Sequence, residues 1–282
     1  MNYASALMIA CIILSGCGAD TTSGMRSDYD QSVTQIDGSI ADQYVTDSLV
    51  DSTVEGIQGY FGQRSILSGI AEVPVLGFQE TNTVGLSLVN IENDNGYLSY
   101  RMQSCQTKIQ RPDDIVTTLI PEAFIDSIPI YYRSGFINGD EVNFSKLIEL
   151  NGVRLNDPLT DELPTDPNDP RIFDQDYDGL PGVTVFVSGL ISGQINLIQR
   201  TVTQLSGSLN EGSINGLIQW SIDEQILGSD QELLEMGAPI TPNIDASRSV
   251  FELIKIPPTF TCDDLIEAAP ELFNPQALIL NP

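Results

Sequence analysis

An acidic loop that runs directly into an apolar segment constrains the fold of this chain more than any other feature. Residues 174–182 place three carboxylates at alternate positions, and a glycine follows the third. Alternate spacing lets the side chains of Asp174, Asp176 and Asp178 converge while the backbone curls, which suits the oxygen coordination of Ca²⁺. Residues 183–187 are apolar on both faces and predict a buried strand. We therefore expect a calcium-stiffened corner at the entrance to a core strand.

Three aspartates do not complete a calcium shell, which takes roughly six to eight oxygens. Asp166 and Asp169 lie in the proline-rich acidic segment just before the loop and are the nearest further candidates. The loop is not an EF-hand, because the twelfth position counted from Asp174 is Val185, where an EF-hand requires a bidentate glutamate. The alternative interpretation is a solvated acidic turn that binds no ion.

Several other segments have the composition of β-strands. Two β-prone runs, residues 84–91 and 96–102, flank an Asn-Gly dipeptide, which is the strongest short-range signal for a hairpin. Residues 214–222 alternate between apolar and polar types, and this pattern predicts one buried and one wet face. The remaining candidates are residues 147–153, 183–187, 194–209 and 249–256. Together they predict a mainly β domain, an antiparallel β-sandwich or β-barrel with a long acidic loop.

Two regions have helical signals. Thr261 offers a hydroxyl N-cap and is followed by acidic residues in the first turn, which predicts a short C-terminal helix from Cys262 to Ala269. Nearer the N-terminus, apolar residues recur every three or four positions within residues 33–44 and again within residues 50–61. This spacing is typical of an amphipathic helix.

The N-terminal residues have the features of an export signal. A short apolar run precedes Leu-Ser-Gly-Cys at residues 14–17, and it is too short for a membrane span, which needs about 20 residues. The motif resembles the lipobox of bacterial lipoproteins. The resemblance implies cleavage before Cys17 and lipid attachment to that cysteine, and Gly18 after it favours the outer membrane over the inner membrane. The alternative is an ordinary secretory signal with an incidental cysteine.

These features divide the chain into three parts. Residues 1–16 form the lipoprotein signal peptide, residues 17–50 form a small and polar tether that is partly helical, and residues 51–282 form a single mainly β domain. The expected location is the cell envelope, where the lipid anchors the chain to a membrane.

The cysteine count leaves one pair in the exported domain. With Cys11 in the signal peptide and Cys17 lipidated, Cys105 and Cys262 remain in an oxidising compartment. The chain has no histidine, so a reactive thiol would lack its commonest activator. We therefore expect a disulfide between Cys105 and Cys262.

Charge and composition exclude some functions. The net charge is −27, which repels phosphate backbones and argues against nucleic-acid binding. The absence of histidine removes Ser-His and Cys-His dyads. Asp223 with Glu224, or Glu252, could serve as the paired carboxylates of a glycosidase, but nothing in their spacing separates them from surface acids.

Residues 150–260 resemble uncharacterised secreted lipoproteins of Gram-negative bacteria. The similarity rests on the run Asp-x-Asp-x-Asp-Gly-x-Pro-Gly-Val-Thr-Val and on Gln199-Arg200. It also rests on a Gly-x-Ile-x-Trp strand at residues 216–220, followed by Glu224, Gln225, Leu227 and Gly228. The resemblance implies a shared location but no assigned activity.

Two main functional hypotheses follow. The first is a lipid-anchored envelope protein whose calcium-stabilised β domain acts without catalysis, as a scaffold or a binding module for a protein or small molecule. The second is a lipocalin-like carrier in which Trp220 faces a small apolar ligand inside a barrel. A filled interior would favour the scaffold, an open cavity the carrier, and a carboxylate-lined cleft the glycosidase.

Lipidation at Cys17 is directly testable. Intact-mass analysis of protein extracted from membranes is expected to show a chain that begins at Cys17 and carries acyl groups, because stable attachment requires two or more acyl chains. A Cys17→Ser variant is expected to leave the membrane fraction. An unmodified N-terminus downstream of Cys17 in the wild-type protein would contradict the prediction.

Overall fold

The computed structural model describes residues 57–73, 77–111, 116–189 and 191–273. The predicted signal peptide, Cys17, the whole tether and the helical spacing at residues 33–44 lie outside these ranges. The described part is mainly antiparallel β structure, as the sequence predicted. Within it, no helix combines the length and apolar character needed to cross a membrane.

The described residues form twelve strands and two α-helices. The strands are β1 (Gly59–Val73), β2 (Gly77–Asp94), β3 (Tyr97–Gln110), β4 (Val116–Leu119), β5 (Tyr131–Asn138), β6 (Glu141–Phe144), β7 (Leu147–Asn151), β8 (Val183–Gly189), β9 (Gly193–Asn210), β10 (Ser213–Ser229), β11 (Ile240–Pro242) and β12 (Val250–Lys255). The helices are α1 (Glu122–Ser127) and α2 (Cys262–Leu272), and single 3₁₀ turns occur at Leu234–Met236 and Ala246–Arg248.

Eight of the strands pair in a closed circuit. β9 pairs with β10, β10 with β12, β12 with β1, and β1 with β2. The circuit continues from β2 to β3, β5 and β6, and β6 returns to β9. Of the two predicted architectures, this closed path corresponds to the barrel. A barrel of this size either fills its interior with side chains or holds one small ligand.

One edge of β9 receives three strands in succession. β6, β7 and β8 pair with it one after another, and β4 extends the sheet from β8. The acidic loop leads into β8, so the predicted strand after the loop is confirmed. The loop therefore joins the barrel through the long strand that also forms part of its wall.

The predicted Asn-Gly hairpin joins β2 to β3. Asn95 and Gly96 both have positive φ angles, 52° and 91°, which suit a two-residue hairpin turn. The side chain of Asn93 accepts a hydrogen bond from the Gly96 backbone N–H at 2.9 Å. Both strands extend well beyond the predicted runs, because their partners continue along them.

The C-terminal helix begins as the sequence predicted. The Thr261 side chain accepts from the backbone N–H of Asp264, and the Asp264 carboxylate accepts from the backbone of Thr261, which completes a capping box. The helix continues to Leu272 and packs against the outer face of β2 and β3, where Leu265 is fully buried. A disulfide joins Cys262 in this helix to Cys105 in β3, with the two Cα atoms 5.1 Å apart.

The helical spacing predicted for residues 50–61 is wrong at its C-terminal end. Strand β1 begins at Gly59, and the side chain of Phe61 is fully buried in the barrel. β1 is hydrogen-bonded to β2 on one edge and to β12 on the other. This pairing overrides the local helical periodicity of the segment, in which Gly56 and Gly59 also disfavour a helix.

One half of the barrel interior is densely packed. Every strand of the circuit contributes buried or partly buried apolar side chains to this core. They include Phe61, Ile91, Leu98, Tyr100, Val142, Phe144, Leu205, Leu209, Ile214, Phe251 and Leu253. This core supports the barrel from one end and leaves the other end for the site described below.

The disulfide is expected to stabilise the fold by closing a loop of sequence separation 157. On the chain-entropy model this contributes about 4–5 kcal/mol to the free energy of unfolding, as an upper figure. A reducing agent should therefore lower the melting temperature of the wild-type protein. It should not change that of a Cys105→Ser, Cys262→Ser double variant. Equal shifts in both proteins would contradict the prediction.

Candidate functional site

A cavity of about 280 Å³ lies in the half of the barrel beyond the packed core. Strands β1, β2, β3, β9 and β10 form its walls, and residues of β8 and α1 line its far end. In this half, several inward positions of β1, β2 and β3 carry small or polar residues, whereas the inward positions of the packed half carry large apolar residues. The small or polar residues are Ser65, Thr83, Gly85, Ser87 and Ser104. Their small volume leaves the space unfilled.

The far end of the cavity is apolar. Phe124 of α1 packs with Val183 and Val185 of β8 and Leu197 of β9 in a buried cluster. Ile128, just after the helix, is packed against the same cluster, and it lines the cavity together with Phe124, Val185 and Leu197. An apolar group placed in the cavity would find its contacts at this end.

The end of the cavity next to the packed core carries a buried arginine. Arg133 of β5 stands opposite Tyr100 of β3, with its guanidinium carbon 5.2 Å from the centre of the Tyr100 ring. Only 7 % of Arg133 is exposed. Its Nη2 donates to Thr203 Oγ1 at 3.1 Å, whereas Nε and Nη1 have no hydrogen-bond partner among the described residues.

Two glutamates share the cavity with this arginine. Burial raises the pKa of the Glu149 carboxyl in β7, and the nearby Arg133 opposes the shift. Glu224 of β10 also lines the cavity, and desolvation by the surrounding walls raises the pKa of its carboxyl. Gln199 Nε2 donates to Glu224 Oε2 at 3.4 Å and opposes that shift.

Strand register explains why these polar groups lie together. Asn151, Gln199 and Glu224 occupy one row across β7, β9 and β10, and Glu149 with Thr201 begins the next inward row. Asn151 Nδ2 donates to Gln199 Oε1 at 3.4 Å. The rows place a polar belt on the cavity wall between the packed core and the apolar far end.

The three predicted aspartates converge outside the barrel. One carboxylate oxygen each from Asp174, Asp176 and Asp178 lies within 4.8 Å of the others. The loop curls around Asp174, whose two oxygens accept from the backbone N–H groups of Asp178 and Gly179 at 3.2 and 2.9 Å. Gly179 has a φ of +89°, which is consistent with the turn expected there.

Asp176 is the buried member of this cluster, with 7 % exposure. Its Oδ2 accepts from the backbone N–H of Thr184 at 2.8 Å, and its Oδ1 has no partner among the described residues. Burial raises the pKa of Asp176, and the charges of Asp178 and Asp174 add to the shift. A buried carboxylate oxygen without a partner is costly, and a cation would satisfy it. The residues present therefore fit a metal ion.

The structure does not bring the two further predicted ligands into the cluster. Asp169 pairs with Arg171 at 2.9 Å, and the hydrogen bonds from Arg171 lower its pKa to about 2. Asp166 Oδ1 accepts from the backbone N–H and the side chain of Asn168 and so closes its own turn. The other oxygens of a calcium shell would have to come from backbone or water.

The carboxylates considered for glycoside hydrolysis are separated. Asp223 points out of the barrel and pairs with Arg200 at 2.7 Å. Glu252 pairs with Arg64 at 2.9 Å. Of these three carboxylates, only Glu224 lines the cavity. The second glutamate of the cavity is Glu149, which the sequence analysis did not single out. The sequence around Arg133 and Glu149 carried no signal beyond a charged residue within a β-prone run.

A hydrogen-bonded chain connects the acidic loop to the cavity wall. Gln175, between two of the clustered aspartates, accepts from the Gly152 backbone N–H at 2.6 Å and donates to Ser127 Oγ of α1 at 3.2 Å. It also donates to Asn151 Oδ1 at 3.5 Å, and Asn151 contacts Gln199. The loop is thus anchored to both the wall and the helix of the cavity.

Comparison with known proteins identified no matching family model, curated protein or solved structure.

Proposed function

We propose that this chain is a lipid-anchored carrier of the cell envelope that holds a small molecule with apolar character inside its barrel. The cavity of about 280 Å³ carries this proposal. The anchoring part rests on the resemblance of residues 14–17 to a lipobox. Ligand sites in proteins are concave, mostly apolar and equipped with a few convergent polar groups, and the cavity has these features.

The carrier accounts for the interior better than a scaffold does. A barrel that acts only as a scaffold needs no more than an interior filled with side chains, and one half of this barrel is filled in this way. The other half keeps small side chains and holds a buried Arg133 and a half-buried Glu149 at a cost in stability. Polar groups retained at such a cost are expected at functional sites.

A second pocket suggests the path by which a ligand would enter. It has a volume of about 550 Å³ and lies beside the cavity. The two share lining residues in β10 and around the start of β11, namely Ile222, Glu224, Ile226, Gly237, Ala238 and Ile240. A ligand would enter between these two elements.

Ligand binding is expected to change the fluorescence of Trp220. This residue is the sole tryptophan of the chain, it lines the cavity, and its Nε1 donates to Ser249 Oγ at 3.0 Å. Titration with 1-octanol should give a saturable change in emission and raise the melting temperature. A wild-type protein that shows neither response to octanol or to its carboxylate and amine analogues would contradict the carrier.

A Ser65→Phe variant supplies the control for this titration. The Ser65 hydroxyl lies over Gly85, so an aromatic ring at position 65 would occupy the cavity. The variant is expected to lose the octanol response. A Ser99→Phe variant makes the same substitution at an exposed position of β3 and should keep it.

We further propose that the aspartate cluster binds Ca²⁺ and fixes the entrance to β8. The unpartnered Oδ1 of buried Asp176 favours this over a solvated turn. Asp178 Oδ2 accepts from Thr184 Oγ1, which also accepts from Asn196 of β9 at 2.6 Å. An ordered loop would therefore hold the register of β8 against β9.

Calcium is expected to raise the melting temperature, and a chelator should lower it. An ion that binds only the folded state stabilises it by about 2.7 kcal/mol at a hundredfold excess over Kd. An Asp176→Asn, Asp178→Asn variant should keep the fold and lose the response, whereas Asp166→Asn, outside the cluster, should retain it. If wild-type melting after thorough chelation is indifferent to millimolar calcium, the loop is a solvated turn.

A further inference from the structure

The guanidinium of Arg133 is a buried cation with unused donors. Nε and Nη1 lack hydrogen-bond partners, and Arg133 forms no ion pair within 4.0 Å among the described residues. Arginine stays protonated in proteins, so the positive charge persists although burial lowers its pKa. Unpaired buried charge is among the most costly features of a protein interior.

Neighbouring residues do not remove this cost. Thr203 accepts one hydrogen bond, and the face of the Tyr100 ring contributes a cation–π contact. Glu149 lies close enough to influence Arg133 electrostatically, yet the two do not form an ion pair. The unused donors belong to a side chain that lines the cavity.

We propose that the ligand carries a carboxylate at one end, which pairs with the guanidinium of Arg133, and that its apolar chain extends towards Phe124 and Val185. This inference rests on the proposed carrier function and specifies its ligand class. The planar guanidinium matches a carboxylate with two parallel hydrogen bonds. The apolar cluster at the far end of the cavity supplies the contacts for the chain.

The other charges of the cavity favour a monoanion. Glu149 and Glu224 both line it and offer no cation that would compensate the second charge of a phosphate ester. Burial favours the protonated form of Glu149, which can donate a hydrogen bond to a carboxylate. A ligand ammonium would meet the unpaired guanidinium and is disfavoured.

The volume of the cavity indicates the length of the ligand. The cavity offers about 280 Å³, which sets the scale for a ligand of medium chain length. Octanoate, with a carboxylate and an eight-carbon chain in total, matches this size. The adjoining pocket gives longer chains room to extend.

The test compares ligands of equal chain length on the intact protein. Octanoate, 1-octanol, octylamine and octyl phosphate are titrated by calorimetry and by Trp220 fluorescence. Octanoate is expected to bind about tenfold or more tightly than each of the others, since hydrogen bonds to charged groups are the stronger class. An Arg133→Met variant should lose this preference and bind octanol within about threefold of wild type.

An Arg101→Met variant is the matched control. Arg101 stands next to Tyr100 on β3, on the opposite face of the strand. It should keep the wild-type preference for octanoate. If Arg133→Met fails to fold, as judged by circular dichroism, the wild-type preference among the four ligands still decides the question.

The other outcomes distinguish failure of this inference from failure of the carrier function. If octanoate and octanol bind wild-type protein equally, the role of Arg133 is overturned and the carrier stands. If octyl phosphate binds more tightly than octanoate, a phosphate ligand replaces the carboxylate. If none of the four ligands binds, the carrier function itself fails.

Discussion

Backbone hydrogen bonding between β9 and β10 turns a long antiparallel sheet into a closed one. The pairing runs from Ser213 and Asn210 at the hairpin to Ser229 and Ile195 at the far end, with one register shift between Ile226 and Gly228. Closure leaves the barrel strands no free edge where the circuit is complete, and it creates the interior in which both the packed core and the cavity lie. The other edge of β9 supports β6, β7 and β8, so the acidic loop also depends on this strand.

A pair of facing glycines permits the close approach within this hairpin. Gly207 and Gly216 stand opposite each other, and a Cβ atom at Gly216 would lie 2.1 Å from the carbonyl oxygen of Ser206. The same Cβ would lie 2.7 Å from the ring of Phe251 in β12. Side chains at these positions would separate strands that must coil tightly to close the barrel.

The cavity and the acidic loop are parts of one polar framework. Gln175 belongs to the loop, Asn151 and Gln199 to the wall, and Glu224 to the cavity, and adjacent members of this series are hydrogen-bonded. Buried polar groups are stable only when most of them have partners. Among the described residues, the buried atoms without a hydrogen-bond partner include Nε and Nη1 of Arg133 and Oδ1 of Asp176, and the proposed anion and cation would offset these buried charges.

Local features of this fold could be predicted from the sequence because their causes are local. The Asn-Gly hairpin, the Thr261 cap and the convergence of Asp174, Asp176 and Asp178 each depend on a few adjacent residues. The disulfide could be predicted because elimination left a single pair of cysteines. Asp166 and Asp169 show the limit of this reasoning, since nearness in sequence did not bring them into the cluster.

The cavity could not be predicted because its wall inverts the usual pattern of a β-strand. Inward positions that carry serine or threonine look like solvent-facing positions, so Ser65, Ser87 and Ser104 indicate an outer surface. Arg133 and Glu149 were missed for the same reason. The strand order could not be predicted either, because β1 pairs with β12, which is far away in the sequence.

The pairing of β1 with β12 also determines when the barrel can close during folding. Residues 61–66 meet residues 250–255, and the Arg64–Glu252 ion pair across this seam spans 188 positions. β1, β2 and β3 can form an antiparallel meander early, but the outer edge of β1 stays open until the last strand arrives. An open edge recruits other chains, and such non-local pairing is slow. The interval before β12 docks is therefore the one in which this chain is most exposed to aggregation.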